Sequence, residues 1–132
     1  MLSLAIWMRV AGALYLIMCA AALAGAPIRA EGPEGTLERA RSGDPVGRFL
    51  VNTWVTLGLL LGVLGLALLY FSRTPEEARA LAWTAVAVEL GWGIPVDVFK
   101  IARGQKKAPS VVWIFIHLTI AALGLQALGA FS

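Results

Sequence analysis

Thiol and imidazole are almost absent from this chain of 132 residues, which has one cysteine, Cys19, and one histidine, His117. A lone cysteine excludes an internal disulfide framework and any multi-cysteine metal centre. A metal would have to rest on His117 with two carboxylates, a poor donor set, so neither a metal nor a cofactor is expected. Charge is scarce as well: Asp, Glu, Lys and Arg make up 14% of the residues and hydrophobic types 59%. Soluble domains carry about 25% charged residues, and a soluble fold of this length has too little interior to hide so much apolar side chain. Disorder would need the opposite balance. No P-loop, GxSxG, HExxH or CxxC spacing occurs, and a net charge of +3 is small for a nucleic-acid binder. No nucleic-acid partner is expected. The composition that remains, with a mean hydropathy of +0.79, is that of an integral membrane protein whose obligatory partner is lipid.

Residues 10–28, 49–72 and 108–132 contain no charged side chain. A hydrocarbon core takes roughly 20 apolar residues in helix, so each run is long enough to span. Residues 80–101 form a fourth candidate, interrupted by Glu89, Asp97 and Lys100. Strict alternation is missing, which argues against barrel strands. The expected fold is all-α, an integral membrane four-helix up-down bundle forming one transmembrane domain over residues 1–132. Its helices fall at about 2–26, 45–72, 75–102 and 109–131, with a long loop at 27–44. Asp44-Pro45 and Thr74-Pro75-Glu76-Glu77 supply N-cap and N1 chemistry for helices two and three. Gly104 and Pro109 separate helices three and four. Within the loop, residues 36–41 read as one short helix.

Basic residues give an orientation. Arg29, Arg39, Arg41, Arg48, Lys100, Arg103, Lys106 and Lys107 gather at one end of such a bundle, against Arg9, Arg73 and Arg79 at the other. The positive-inside rule then puts loops 27–44 and 103–108 in the cytoplasm and both termini outside, in a plasma (inner) membrane. Trp7 and Trp83 fall near one interface, Trp54 and Trp113 near the other. Ala24-Gly25-Ala26 resembles a signal-cleavage site, but Pro27 directly after it is a poor context for cleavage.

Polar residues inside the spans carry the functional expectations, because an intramembrane charge is expensive. Their levels suggest two tiers: an outer one of Arg9, Glu89 and Gln126, and an inner one of Asn52, Asp97 and His117. Glu89 reads either as an acid/base or proton-carrying group or as half of a structural pair with Arg9. His117 reads either as a proton shuttle whose tautomer Asp97 sets, or as a simple interhelical hydrogen bond. Asp97, three residues before Lys100, suits an ion pair. In Gly91-Trp92-Gly93-Ile94-Pro95 the proline removes a backbone donor and two glycines ease bending, so a kink is expected. Such breaks serve packing in many membrane helices and substrate binding in transporters. Gly58 and Gly62 form a small-xxx-small stripe suited to packing within the chain or to a homo-oligomer.

Several segments together resemble the BphX-like family, small membrane proteins encoded alongside aromatic-ring degradation genes. They are Trp7-Met-Arg9, Pro27-Ile-Arg-Ala-Glu-Gly-Pro33, Gly43-Asp-Pro-Val-Gly-Arg-Phe49, Thr53-Trp-Val-Thr56, Glu89, Asp97-Val-Phe-Lys-Ile-Ala-Arg-Gly104 and Val111-Val-Trp-Ile-Phe-Ile-His117. The resemblance implies a four-helix membrane fold and a link to hydrophobic aromatic compounds. It supplies no catalytic residues.

Three functions are compatible with these residues. The first is binding or helping to move a hydrophobic small molecule or lipid, at a site of Glu89, Gly91, Trp92, Gly93 and Pro95 with Arg9, Asn52 and Gln126. The second is a membrane-embedded acid/base enzyme, isomerase-like, using Glu89 and His117 with Asp97. The third is a structural or assembly subunit. An enzyme is the less expected outcome. It needs a carboxylate within reach of His117, whereas the structural reading needs Glu89 satisfied by Arg9.

Overall fold

The computed structural model describes residues 2–31, 34–104 and 107–130, and among them every regular element is helical. Seven α-helices follow in order: α1 Leu4–Leu23, α2 Ala26–Glu31, α3 Thr36–Arg41, α4 Pro45–Phe71, α5 Arg79–Val88, α6 Ile94–Ala102 and α7 Lys107–Ala127. A π-helical turn, Glu89–Gly93, joins α5 to α6. Three helices are long and apolar enough to cross a membrane: Leu4–Leu23, Pro45–Phe71 and Ala108–Ala127. Only 22–33% of the most apolar window in each is buried. Phe49, Leu60, Val63, Tyr70 and Phe115 are all more than 60% exposed, more apolar surface than water tolerates on a soluble monomer. The chain is therefore a helical protein built for a membrane.

Two compact units make up the chain, residues 13–66 and residues 1–12 with 67–132. In the first, the expected long loop carries the short helix read at residues 36–41, here α3, and a further short helix, α2; its residues 32 and 33 lie outside the described residues. Gly25, at φ 71°, ends α1, and Pro27 falls in the first turn of α2, a position that costs no hydrogen bond. After α3, Gly43 at φ 95° lets its own N–H donate to Ala40 O and the Asp44 N–H donate to Arg39 O. That is a Schellman ending. Asp44 then caps α4, accepting the Gly47 N–H at 2.6 Å, as the Asp44-Pro45 pair leads one to expect. Gly58 and Gly62 lie against Ala22 and Cys19 of α1: a Cβ at Gly62 would come within 2.7 Å of Cys19 Sγ, and one at Gly58 would overlap the Ala22 methyl. Within the chain, the small-residue stripe lets two helix backbones approach closely.

The second unit has Trp7 at its centre. This residue is 2% exposed, and its Nε1 donates to the Ile120 carbonyl at 3.0 Å. An indole of α1 is thus inserted against α7, where Gly124 makes room: a Cβ there would stand 2.6 Å from both Trp7 Cζ2 and Val86 Cγ2. Trp7 is a core residue, and its single donor finds a buried carbonyl.

Helix α5 begins at Arg79, beyond the Pro75 start expected for the 75–102 helix. Thr74 provides no side-chain cap; Ala78 is the N-cap, and its N–H donates to Pro75 O. Arg79 reaches back to Glu76 at 3.2 Å and donates to the Leu128 carbonyl at 2.6 Å, binding the start of α5 to the carbonyl end of α7. There a cation is favoured by the helix dipole. Helix α7 ends at Ala127, with Gly129 at φ 77° and the Ala130 N–H donating to Leu125 O. Residues 105 and 106 of the expected 103–108 loop, and the last residue of the expected fourth helix, lie outside the described residues.

Candidate functional site

The expected kink at Pro95 is resolved as a π turn. The Ile94 N–H donates to Glu89 O, five residues back, and backbone angles are helical at Val88, Glu89, Gly93 and Ile94. This wider turn decides which side chains face α7. At about 100° per residue, an unbroken α-helix would rotate Asp97 roughly 80° away from Glu89. Absorbing one residue into the turn brings that offset back to roughly 20°. Glu89, Gly93 and Asp97 consequently share one buried face, at 1% exposure for Glu89 and 3% for Asp97.

His117 of α7 meets that face. Its Nδ1 is hydrogen-bonded to Glu89 Oε2, and its Nε2 lies 3.6 Å from Asp97 Oδ2. Lys100, one turn further along α6, donates from Nζ to Asp97 Oδ1 at 3.0 Å. The imidazole is 6% exposed, with Trp113 beside it at 6.0 Å between ring centroids. Gly93 provides the space: a Cβ there would fall 2.6 Å from His117 Nδ1 and 2.8 Å from Cε1. The second glycine of the Gly-Trp-Gly-Ile-Pro segment is thus the seat of the histidine ring.

The arrangement is a file, Glu89–His117–Asp97–Lys100. The two carboxylates address opposite edges of the imidazole and do not converge on one point. No group of three metal-ligating side chains forms among the described residues. Each ring nitrogen faces an acceptor, and a neutral imidazole has only one N–H to give. The chemistry within reach is proton transfer.

Other expected site residues stand apart. Arg9 does not meet Glu89. It lies on the far side of α1 from Trp7, exposed, with Nε donating to Ser72 Oγ at 3.3 Å. Gln126 is exposed on the opposite side of α7 from buried Gly124, so the outer tier does not form. Asn52 belongs to the other unit and is exposed, turned about 120° from the Gly58–Gly62 face. Of the inner tier, Asp97 and His117 come together within one unit, with Glu89 joining them. Gly91 and Pro95 are exposed and Trp92 is half-buried, all turned off the His117 face. Sequence reasoning paired Asp97 with Lys100 and joined Glu89 to His117 only in the enzyme reading, since depth along the helices put Glu89 in one tier and His117 in the other. A shallow apolar groove of about 360 Å³ runs along α7, lined by Val112, Phe115, Ile116, Thr119 and Ile120. It is open and holds none of the ionisable residues. Compared with known proteins, the chain matches no family model, no curated protein and no solved structure.

Proposed function

We propose that this chain is a multi-pass protein of the plasma (inner) membrane that binds or helps to move a hydrophobic small molecule or lipid, with the Glu89–His117–Asp97 cluster as its working centre. In this reading α5, the π turn and α6 together are the fourth span of an up-down bundle. The basic loops face the cytoplasm and both termini lie outside. One observation carries the proposal: a buried imidazole held between two buried carboxylates on helices that are otherwise apolar. Each such group costs several kcal/mol to bury in a membrane, and a single pair would suffice to set helix register. The structural-subunit reading drew on an Arg9–Glu89 pair, whereas Glu89 is bonded to His117.

A second reading, an acid/base enzyme of isomerase type, is favoured by the same hydrogen bond, since a carboxylate that orients an imidazole is common equipment for proton abstraction. The two readings separate by product: an enzyme alters the molecule it holds.

The test is native mass spectrometry of gently extracted protein. The wild-type chain should carry a lipid or aromatic molecule, and Glu89→Gln should lower its occupancy at least tenfold. Equal occupancy in a folded variant overturns the site. Orientation is tested in a Cys19→Ala background with single cysteines at Ser42 and Gln105. Both should be shielded from an impermeant thiol reagent in intact cells, and labelling of both reverses the assignment.

A further inference from the structure

We propose that Glu89, His117, Asp97 and Lys100 form a proton relay, in which the His117 ring passes one proton between Asp97, at the Lys100 end of α6, and Glu89 in the π turn. The inference deepens the functional reading above by naming the ion to which binding or movement at that site is coupled. It rests on geometry. The Nδ1 edge is closed onto Glu89 by a hydrogen bond. The Nε2 edge stands 3.6 Å from Asp97 Oδ2, about 0.6 Å beyond an ordinary N–H···O bond. A small rotation of the Asp97 carboxylate, or one bridging water, completes the file.

The step balances without a co-reactant. A protonated Asp97 gives its proton to Nε2, breaking an O–H bond and forming an N–H bond. The Nδ1–H proton passes to the Glu89 carboxylate, breaking N–H and forming O–H. Asp97 ends as a carboxylate, Glu89 as a carboxylic acid, and the ring has exchanged one neutral tautomer for the other. The Nε2–H ring cannot accept a second proton from Asp97; reverse transfer, from Glu89 to Nδ1 and from Nε2 to Asp97, restores the first tautomer. Such a file therefore shuttles one proton back and forth between the two carboxylates and does not carry a continuous current.

The groups around the ring support this use. Among the described residues of this unit, His117 meets Glu89 from the π turn and Asp97 from α6, with Lys100 bonded to Asp97. Helix α5 contributes only Arg79, occupied at the far end by Glu76 and Leu128. Arg9 of α1 is exposed and bonded to Ser72. Lys100, with its side chain 16% exposed against 5% for Asp97, is the member closest to solvent and marks the entry side. Trp113 flanks the ring, and the absent Cβ of Gly93 leaves the ring the space it occupies.

Because His117 is the only histidine, a sample labelled with ¹⁵N-histidine yields a single pair of ring signals. In the wild-type protein in lipid nanodiscs, both nitrogens should show shifts averaged between protonated and unprotonated forms. Asp97→Asn should drive the ring to the Nδ1–H tautomer, facing Glu89, and Glu89→Gln to the Nε2–H tautomer, facing Asp97. Each should change the tautomer ratio at least tenfold, in opposite directions. A wild-type ring locked in one tautomer at every pH overturns the relay without need of any variant, as does a ratio that neither substitution moves. Ligand occupancy read separately by mass spectrometry keeps the two proposals apart. A locked ring with occupancy intact refutes the relay alone, and a mobile ring without a ligand refutes the binding function alone.

Discussion

Replacing Gly93 with alanine tests whether the histidine ring is seated as described. The added methyl would stand 2.6 Å from His117 Nδ1, 2.8 Å from Cε1 and 2.9 Å from Cγ, so the whole near edge of the ring must retreat. A retreat of about 0.8 Å brings Nδ1 to tolerable contact and pulls it off Glu89. Overpacking of this kind costs about 1–3 kcal/mol. Losing a buried hydrogen bond to a charged group costs about 1.5–3 kcal/mol more. Alanine returns up to about 1 kcal/mol through its better helix propensity. The net expectation is a loss of about 2–5 kcal/mol. Gly91→Ala is the matched control, because a Cβ there meets nothing within 4 Å and should be neutral or stabilise by up to about 1 kcal/mol. Equilibrium unfolding in mixed detergent micelles, followed by tryptophan fluorescence, measures both. If Gly93→Ala is as stable as Gly91→Ala within about 0.5 kcal/mol, the ring does not occupy the seat described and the file loses its geometric basis.

Other expectations concern the frame around the site. Asp44→Ala removes the acceptor of the Gly47 N–H and should cost about 1 kcal/mol in the same assay, with Asp44→Asn or Asp44→Ser recovering most of it; no loss would mean that the cap is dispensable. Gly124→Ala forces a methyl onto Trp7 and Val86 and should cost about 1–3 kcal/mol. Trp7→Phe gives up the bond to Ile120 O and should cost a comparable amount. Because the two share one contact, their effects should fall short of additivity in a double-mutant cycle, and strict additivity would separate them. Removing the Arg79 side chain as Arg79→Ala should raise amide exchange at Leu128 through Ala130, the end of α7 that it holds. Unchanged exchange there would mean that the guanidinium contact contributes nothing.

Much of the frame is legible along the chain. The Asp44-Pro45 start of α4 follows from local capping chemistry, and local chemistry is what a sequence states directly. Helix α2 was less visible, because Pro27 reads as a break until Gly25 is seen to end α1 just before it. The Thr74-Pro75-Glu76-Glu77 segment looked like a helix start and is a turn: the competing contact of Arg79 with the end of α7 holds the chain there, and a tertiary contact outweighs a local cap. Arg9 and Glu89 suit each other in charge and level, yet α1 places Trp7 inward and so turns Arg9 outward, leaving it on Ser72.

By itself the sequence determined the membrane class, the three long apolar helices and the identity of the few buried ionisable residues, since each depends on composition or on neighbours within a few positions. The grouping of those residues depended on a single residue of helical phase. Uniform α-helical periodicity sets Glu89 and Asp97 roughly 80° apart; the π turn at Glu89–Gly93 narrows that offset, and Gly93 lets His117 close between them. That choice was made by tertiary structure, because the phase of a helix past a proline is set by what packs against it, here the imidazole of α7.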